Sequence, residues 1–291
     1  MTYKGWLIYK KKDALENQSF IDWFINEAKL QNIVLELLYR ENFTIGIVNN
    51  KRSIIKNNVS IEPPDFAVVR TDEPFLSLHL EELGINVFNS ATISQICNNK
   101  ELTHHHVHNL NIPMVDTIFV DGRQMNDSYK LDYPFVAKLS TGHGGNNVHL
   151  IENERDWQNQ LPDLTSDTVI LQSCNVSFGK DLRVFVVGNE IVGSVLRENK
   201  KDFRANFKLG GSAKWYQLNN DELKIINKII NNFEFDMVGI DFLFSNSGKL
   251  LFNEIEDVVG SRILSAVGNV NILEKYVSHI KSKLDSRNSG H

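Results

Sequence analysis

The sequence predicts a mixed α/β and α+β fold, because strands and helices alternate early in the chain and hairpins follow later. In the first ~95 residues, short apolar runs alternate with amphipathic stretches, which is typical of βαβ units and a mostly parallel sheet. Beyond Pro113, short strands are joined by Gly and Asn turns, and Gly188-Asn189 is a hairpin signal. The composition, 42% hydrophobic and 23% charged, is that of a globular chain.

The N-terminal region is predicted to contain four strands, with an amphipathic helix between the first two. Ser19 is the predicted N-cap of this helix, which extends to Leu30. Pro63-Pro64 predicts a turn before the third strand. The strands are WLIY at 6–9, IVLELLY at 33–39, AVV at 67–69 and INVF at 85–88.

The second region opens with a helical pattern from Asn89 to Asn111. Further helices are predicted from Asp221 to Phe233 and from Ile272 to about Leu284, and the last residues, SRNSGH, are expected to be frayed. The predicted strands are TIFV at 117–120, FVAKL at 135–139, TVILQS at 168–173, a pair within 183–197, and a hairpin of 237–244 with 249–256.

Charge and cysteine content exclude several classes of protein. The net charge is −5 and no long block of Lys or Arg occurs, which argues against a nucleic-acid or anionic-membrane partner and favours a small molecule or peptide. Cys97 and Cys174 form no CxxC pair, so neither a disulfide framework nor a cysteine zinc site is predicted. No secretory signal and no apolar run of ~20 residues is present, and we therefore expect a cytoplasmic protein.

Three carboxylates in the last predicted hairpin suggest a metal site. Glu254 and Glu256 share one face of their strand, and Asp241 on the preceding strand can lie across from them. Converging carboxylates among apolar strands would repel one another without a cation, and Mg²⁺ accepts such oxygen ligands together with substrate phosphates. The alternative is a solvated strand face on which the acids alternate with Ile255.

A lysine followed by a glycine-rich loop suits the binding of phosphate. Lys138 ends a predicted strand that leads into a loop with Gly142, Gly144 and Gly145, whose backbone N–H groups can surround phosphate oxygens; an ordinary hairpin loop is the alternative. This is not a Walker A loop, because the Lys precedes the glycines.

Alternating charged residues indicate a strand with one face in a polar cleft. Asp181 and Arg183 are two residues apart in an apolar strand, and Arg204 and Asn206 have the same spacing in a later segment. Arg204 and Asn206 suit a phosphate and a developing oxyanion. The competing account is a structural ion pair of Asp181 with Arg183 or with a neighbouring strand.

Together and in this order, from about Asp65 to Gly260, the motifs resemble the RimK-like branch of ATP-grasp carboxylate-amine ligases. The segments that carry the resemblance are NSATISQICNNKELTHHHVHNLNIPMVDT, FVAKLSTGHGGNNV, GKDLRVFVVGNEIVGSVLR, DFRANFKLGGSA, GIDFLF and NEIEDVVG. The resemblance implies an N-terminal pre-ATP-grasp α/β domain (1–95), an ATP-grasp central subdomain (96–174) and an ATP-grasp C-terminal subdomain (175–291), with an ATP cleft between the two α+β subdomains.

The resemblance also implies roles for individual residues. Lys100 and Lys138 match the lysines that meet the nucleotide phosphates, the loop at 141–147 matches a phosphate cover, and Asp181 matches a nucleotide-contacting acid. Arg204 and Asn206 match the phosphate and acyl-phosphate centre, and Asp241 and Glu254 match metal ligands. The sequence departs from the family in two places: Glu256 replaces the usual Asn as third ligand, and Gln172-Ser173-Cys174 replaces Gln-Glu-aromatic in the adenine hinge, which leaves the preference for ATP over GTP open.

The expected activity is ATP-dependent ligation of a carboxylate to an amine through an acyl phosphate, with an amino acid or peptide as acceptor. Mg²⁺, with two ions, or Mn²⁺ is the expected metal, and Arg183 is the candidate for gripping the acceptor carboxylate or the acyl phosphate. Homo-oligomers are frequent in the resembled family. The alternatives are an ATP-grasp kinase and a nucleotide-binding regulator without catalysis.

Four histidines lie in the predicted helix that follows Lys100. His104 and His108 would share one helix face, as metal ligands do. No carboxylate cluster accompanies them in the sequence, and we therefore expect ordinary histidines of a helix surface or an interface, with His105 and His106 among them.

Overall fold

A computed structural model describes residues 2–124, 131–141, 148–164, 168–205 and 210–289 of the chain. Apart from short 3₁₀ turns, its N-terminal elements are β1 (Tyr3–Tyr9), α1 (Lys11–Glu16), α2 (Gln18–Leu30), β2 (Ile33–Tyr39), β3 (Thr44–Val48), β4 (Lys51–Lys56), β5 (Val59–Ser60), β6 (Phe66–Val69), α3 (Pro74–Glu81) and β7 (Asn86–Phe88).

The N-terminal sheet has the order β2-β1-β6-β7, and every pair in it is parallel. The predicted parallel sheet and its four strands are therefore confirmed. The small antiparallel sheet β3-β4-β5 was not predicted. Ser19 is not the N-cap: Asn17 ends α1 through its N–H bonds to Asp13 and Ala14, and its carbonyl oxygen accepts the first N–H bonds of α2.

The second region consists of two antiparallel sheets, β10-β9-β11-β8 and β14-β13-β12-β15-β16, with helices around them. Its elements are α4 (Ala91–Cys97), α5 (Lys100–Asn109), β8 (Thr117–Asp121), β9 (Phe135–Leu139), β10 (Val148–Ile151), α6 (Glu154–Gln160), β11 (Thr168–Ser173), β12 (Val176–Val187), β13 (Glu190–Glu198), β14 (Ser212–Trp215), α7 (Asn220–Ile230), β15 (Met237–Ser245), β16 (Leu250–Glu256), α8 (Arg262–Val267) and α9 (Ile272–Ser289).

The predicted strands of this region and the helices predicted from Asp221 and from Ile272 are confirmed. The helical pattern at 89–111 forms two helices, α4 and α5, and the expected frayed end is wrong as far as Ser289. The last turns of α9 are held by Asp285, whose carboxylate accepts a hydrogen bond from the Tyr3 hydroxyl at 2.7 Å. Further up α9, Tyr276 packs against Phe24 of α2, and both lie in one buried cluster with Leu7 of β1. The C-terminal helix therefore covers one face of the N-terminal sheet.

Asn89, directly after β7, joins the N-terminal sheet to the last hairpin. Its side-chain oxygen accepts from the backbone N–H groups of Asp236 and Met237, and its amide donates to the carbonyl oxygens of Met237 and Asp257. The start of β15 and the end of β16 are thus fixed by one buried amide. The three-part division at 95/96 and 174/175 stays a prediction.

None of the helices in the described ranges combines the length and the apolar character that crossing a lipid bilayer requires.

Replacing Asn89 with Ala is expected to destabilise the protein by about 3 kcal/mol, because it leaves buried backbone donors and acceptors without partners. The midpoint of thermal unfolding reports the loss. Asn232→Ala is the matched control, since Asn232 is exposed and its amide donates only to the Lys228 carbonyl oxygen, so its midpoint is expected to stay near the wild-type value. Equal midpoints for the two variants would contradict the role of Asn89.

Candidate active site

A cleft lies between the two antiparallel sheets of the second region, and residues of both sheets line it. One part of its lining is apolar, from Val115, Val136, Val176 and Leu243. The other part is charged and polar, and its side chains include Lys100, Lys138, Gln172, Ser173, Cys174, Asp181, Arg197, Arg204, Asp241, Asn253, Glu254 and Glu256. Of the fourteen residues that the sequence predicted for the site, ten lie in the described ranges, and nine of these ten line the cleft; the tenth is Arg183.

The three predicted carboxylates do converge. Asp241 is the direct cross-strand partner of Glu254, Glu256 is opposite Gly239, and ligand oxygens of the three acids all lie within 4.8 Å of one another. Ile255 points to the other face of β16, into a buried cluster. Asp241 is 2% exposed, so these acids do not form an open, solvated strand face.

Two buried arginines neutralise the carboxylates. Arg183 donates to both oxygens of Asp241 at 2.7 and 2.6 Å and to Glu256 at 2.6 Å. Arg197 donates to both oxygens of Asp181 at 2.5 and 2.9 Å and to Asp241 at 2.8 Å. The cation that these carboxylates were expected to need is thus already supplied in part by guanidinium groups.

The pKa values of the acids reflect this pairing. Burial alone would raise the pKa of Asp241, but the charges of Arg183 and Arg197 outweigh it and lower the pKa to about 2. For Glu256, burial dominates and raises the pKa, against the attraction of Arg183. Asp241 is therefore firmly ionised.

Arg197 was not predicted from the sequence, and Asp181 pairs with it rather than with Arg183. A regular hairpin around the turn Gly188-Asn189 would place Asp181 opposite Leu196. The register shifts by one residue between Phe185 and Val186, and this irregularity brings Arg197 opposite Asp181. In the sequence, Arg197 is a charged residue near the end of an apolar strand. Such a pattern does not reveal which residue Arg197 pairs with.

The two predicted lysines lie beside the carboxylates. Lys138, on the cleft side of β9, is 6% exposed and donates to Asn253 Oδ1 at 3.3 Å. Its burial lowers the pKa of its ammonium group to about 8. Lys100 Nζ, at the start of α5, is 3.9 Å from Glu254 Oε2. Two ammonium groups and the acids therefore face one space.

Asn253 is a second lining residue that the sequence did not suggest. The pairing of β15 with β16 shifts between Asp241 and Phe242, so that Asn253 is an extra residue between Phe252 and Glu254. Such a bulge breaks the alternation of side chains, and Asn253 and Glu254 both line the cleft as a result.

The structure describes only some of the remaining predicted site residues. Arg204 lines the cleft, and its guanidinium group donates to Asp202 at 3.0 and 2.9 Å. Ser173 and Cys174, at the end of β11, also line it, and burial raises the pKa of the Cys174 thiol to about 11. Asn206, Gly142, Gly144 and Gly145 lie outside the described residues.

The histidines of α5 differ in environment. His105, His106 and His108 are exposed as expected, and His105 stacks on Phe119. For His104 the expectation of a helix-surface residue is wrong: its ring is 2% exposed because it packs against the rings of Phe119 and Phe252. Among the residues with described positions, the cluster suited to a metal is formed by the carboxylates, not by histidines.

The carboxylate cluster fits a hard divalent cation. Its donors are all oxygens, as Mg²⁺ prefers, and each carboxylate oxygen that accepts one guanidinium N–H keeps a second lone pair. Glu254 also offers carboxylate oxygens to a cation. Its Oε2 is 3.9 Å from Lys100 Nζ, which is longer than a hydrogen bond.

Comparison with known proteins agrees with this geometry. The family model of the RimK-like ATP-grasp domain matches residues 98–280. Human N-acetylaspartylglutamate synthase A is 25% identical over 277 residues, which cover 89% of this chain and 71% of that protein. The glutamate–LysW ligase ArgX of Sulfurisphaera tokodaii is 22% identical, with 86% and 94% covered.

A solved structure shares the fold. The RimK domain ATP-grasp protein of Sphaerobacter thermophilus superimposes with a TM-score of 0.71 at 15% identity, over 95% of this chain and 98% of that one. The family match covers more than half of the chain and includes Lys100 and Lys138, the paired arginines Arg183 and Arg197, and the convergent acids Asp241, Glu254 and Glu256. The chain therefore belongs to the RimK-like ATP-grasp family, and it is an ATP-grasp ligase that forms a carbon–nitrogen bond.

Proposed function

We propose that this ligase uses ATP to convert a substrate carboxylate into an acyl phosphate, which an amine then attacks to give an amide with release of ADP and phosphate. The observation that carries the proposal is the single cleft in which two lysines face three convergent carboxylates. The relatives named as glutamate ligases support an amino acid or a peptide as one of the two substrates.

Each charged residue has a proposed role. Lys100 and Lys138 bind the nucleotide phosphates, and Asp241, Glu254 and Glu256 hold the metal, either two Mg²⁺ or Mn²⁺. A metal held by these residues would supply positive charge that neutralises the phosphate during transfer. Asp181, Ser173, Cys174 and the glycines 142, 144 and 145 complete the proposed nucleotide site.

Arg183 has a different proposed role from the one first expected. Its guanidinium group is buried and already bonded to Asp241 and Glu256, so we assign it to orienting the metal ligands. Arg204 is more exposed and lies at the cleft, and with Asn206 it is the proposed partner of the acyl phosphate.

Two alternatives stay within the same fold. A kinase would need the same nucleotide and metal residues but no amine, and a regulator would bind nucleotide without turnover. The buried lysine and the convergent acids favour catalysis over a purely regulatory role. A cytoplasmic location is part of the proposal, because the reaction consumes ATP.

The proposal is tested by measuring ADP release with Mg²⁺ over a panel of amino acids and peptides, followed by mass analysis of the product. An amide formed with stoichiometric ADP and phosphate is expected. A stable phosphorylated product that does not depend on an amine would instead identify a kinase, and ATP binding without ADP release from any pair would identify a regulator.

Asp241→Asn and Glu254→Gln are each expected to lower Mg²⁺-dependent ADP formation by at least about a hundredfold, since even the partners of metal ligands are worth 10–100-fold. Calorimetric titration with Mg²⁺ in the presence of a non-hydrolysable ATP analogue measures the metal site independently of turnover. Glu190→Gln is the matched control, because this exposed acid pairs with Lys275 outside the cleft. Wild-type metal affinity in both cleft variants would refute the assignment.

Cys174 offers a chemical probe of the nucleotide position. With a pKa of about 11, its thiol stays protonated at pH 8 and becomes a thiolate only as the pH rises through that value. We expect its alkylation by iodoacetamide at pH 8 to be about a hundredfold slower than that of an ordinary thiol, since the thiolate reacts. ATP should slow it further, because Cys174 lines the cleft.

Peptide mass mapping distinguishes the two cysteines, and Cys97→Ser provides a chain in which Cys174 alone is labelled. An alkylation rate of Cys174 that is unchanged by saturating ATP would argue against nucleotide binding at this end of the cleft.

A further inference from the structure

A second cavity, of about 350 Å³, lies where the N-terminal sheet meets the C-terminal helix. Its walls come from the end of α3, the edge strand β7, the segment that precedes β15, and the last turns of α9. Within the described ranges, no residue lines both this cavity and the cleft. Its volume is in the range of roughly 300–1,000 Å³ that small-molecule sites occupy, and its charged side chains therefore indicate what it can hold.

Asp236 presents an unpaired carboxylate oxygen to this cavity. The residue is 2% exposed, and its Oδ1 accepts hydrogen bonds from His279 Nε2 and Lys283 Nζ, both at 2.8 Å. In the described part of the chain nothing bonds its Oδ2, and Oδ2 is not one of the fully enclosed polar atoms that lack a partner. Because Asp236 lines the cavity, Oδ2 faces into it. A buried acceptor without a partner is costly, so this position requires a donor.

Glu81, the last residue of α3, supplies a second acceptor. Its Oε1 accepts from the backbone N–H of Ala91 at 2.7 Å, and among the described residues its Oε2 has no partner. Burial raises the pKa of Glu81, and the charge of Asp236 adds to this increase, because the two carboxylates are close enough to repel each other. An ammonium group between them would satisfy both oxygens and remove the repulsion.

Two cations of α9 border the same cavity. Lys283 and Arg287 are four residues apart, and they therefore share one face of the helix. Lys283 is already bonded to Asp236, whereas Arg287 is exposed and donates to Asn86 Oδ1. As far as the structure describes the chain, no carboxylate lies within salt-bridge distance of Arg287. A guanidinium group has five N–H donors, so Arg287 keeps donors for an anionic group.

This arrangement suits a ligand that carries charges of both signs. Asp236 and Glu81 each have an oxygen that needs a donor, and Arg287 has donors that need an acceptor. A simple anion would meet the two carboxylates, and a simple amine would leave Arg287 without a partner. A metal ion fits less well, since among the described residues the group of three acids that could hold one lies in the cleft, at Asp241.

We infer that this cavity binds the zwitterion of a small amino acid, with its ammonium group between Asp236 Oδ2 and Glu81 Oε2 and its carboxylate on Arg287. The buried ring of Phe88, 6.0 Å from Lys283 Nζ, offers an apolar surface to the side chain of the ligand. The occupant is additional to the substrates of the proposed function, because the two sites share no described residue.

The test titrates the wild-type protein calorimetrically with each of the common L-amino acids in turn, without nucleotide. We expect at least one to bind with a dissociation constant below about 1 mM. For the tightest binder, the acid that lacks its amino group and the amine that lacks its carboxylate should each bind at least about tenfold more weakly, because each loses a charge-assisted contact. If no amino acid binds, or if either analogue binds as well as the amino acid, the inference is wrong.

Variants then assign the binding to the cavity. Glu81→Gln keeps an oxygen for Ala91 but loses the charge that faces the ammonium group, and Arg287→Gln removes the partner of the carboxylate. Each should weaken binding about tenfold. Glu190→Gln and Arg155→Gln are the matched controls, because both residues are exposed and lie outside the cavity, and they should bind like the wild type.

Glu254→Gln, in the cleft, distinguishes the two sites and should keep the wild-type affinity for the amino acid. Binding that is lost in Glu254→Gln but unchanged in Glu81→Gln and Arg287→Gln would place the amino acid in the cleft; this would overturn the inference and leave the proposed function intact. Thermal unfolding shows whether each variant is folded. Wild-type affinity in folded Arg287→Gln, an exposed position that is expected to tolerate the change, would by itself refute the site.

Discussion

The buried carboxylate of Asp241 is the constraint on which the active site depends. A carboxylate with 2% exposure loses its hydration, at a cost of several kcal/mol, and that cost must be offset by well-placed partners. Arg183 and Arg197 supply these partners from the adjacent strand β12 and from β13 beyond it. The five-stranded sheet β14-β13-β12-β15-β16 thus has a charged row across β13, β12 and β15, on the side that faces the cleft.

This row explains why the acids can be assembled before any cation binds. Asp181, Asp241 and Glu256 are held in place by guanidinium groups whose planar donors match carboxylates in geometry. Glu254 is the member without a guanidinium contact among the described side chains, and its nearest ammonium group is 3.9 Å away. The proposed metal ligands are consequently oriented by protein contacts, and Glu254 keeps carboxylate lone pairs that no guanidinium group takes among the described residues.

The part of the cleft near Gln172 follows the same principle with neutral groups. His104 is buried between two phenyl rings, and its partners leave it a single protonation pattern. A polar group that has one satisfying arrangement specifies the orientation of its neighbour, here Gln172. Helix α5, which carries Lys100, therefore also carries the residue that orients the Gln172 amide.

The sequence by itself determined the order of the elements, the parallel N-terminal sheet and the set of charged residues, because strand alternation and glycine turns are local properties. It could not determine which charges meet. Irregularities after Phe185 and at Asn253 shift two strand pairings by one residue, and this places Arg197 opposite Asp181 and Glu254 opposite Asp241. The burial of His104 is also a tertiary result, since the helix pattern alone gives it the same exposure as His108. Strand register and burial depend on packing between distant segments, and only the tertiary structure decided them.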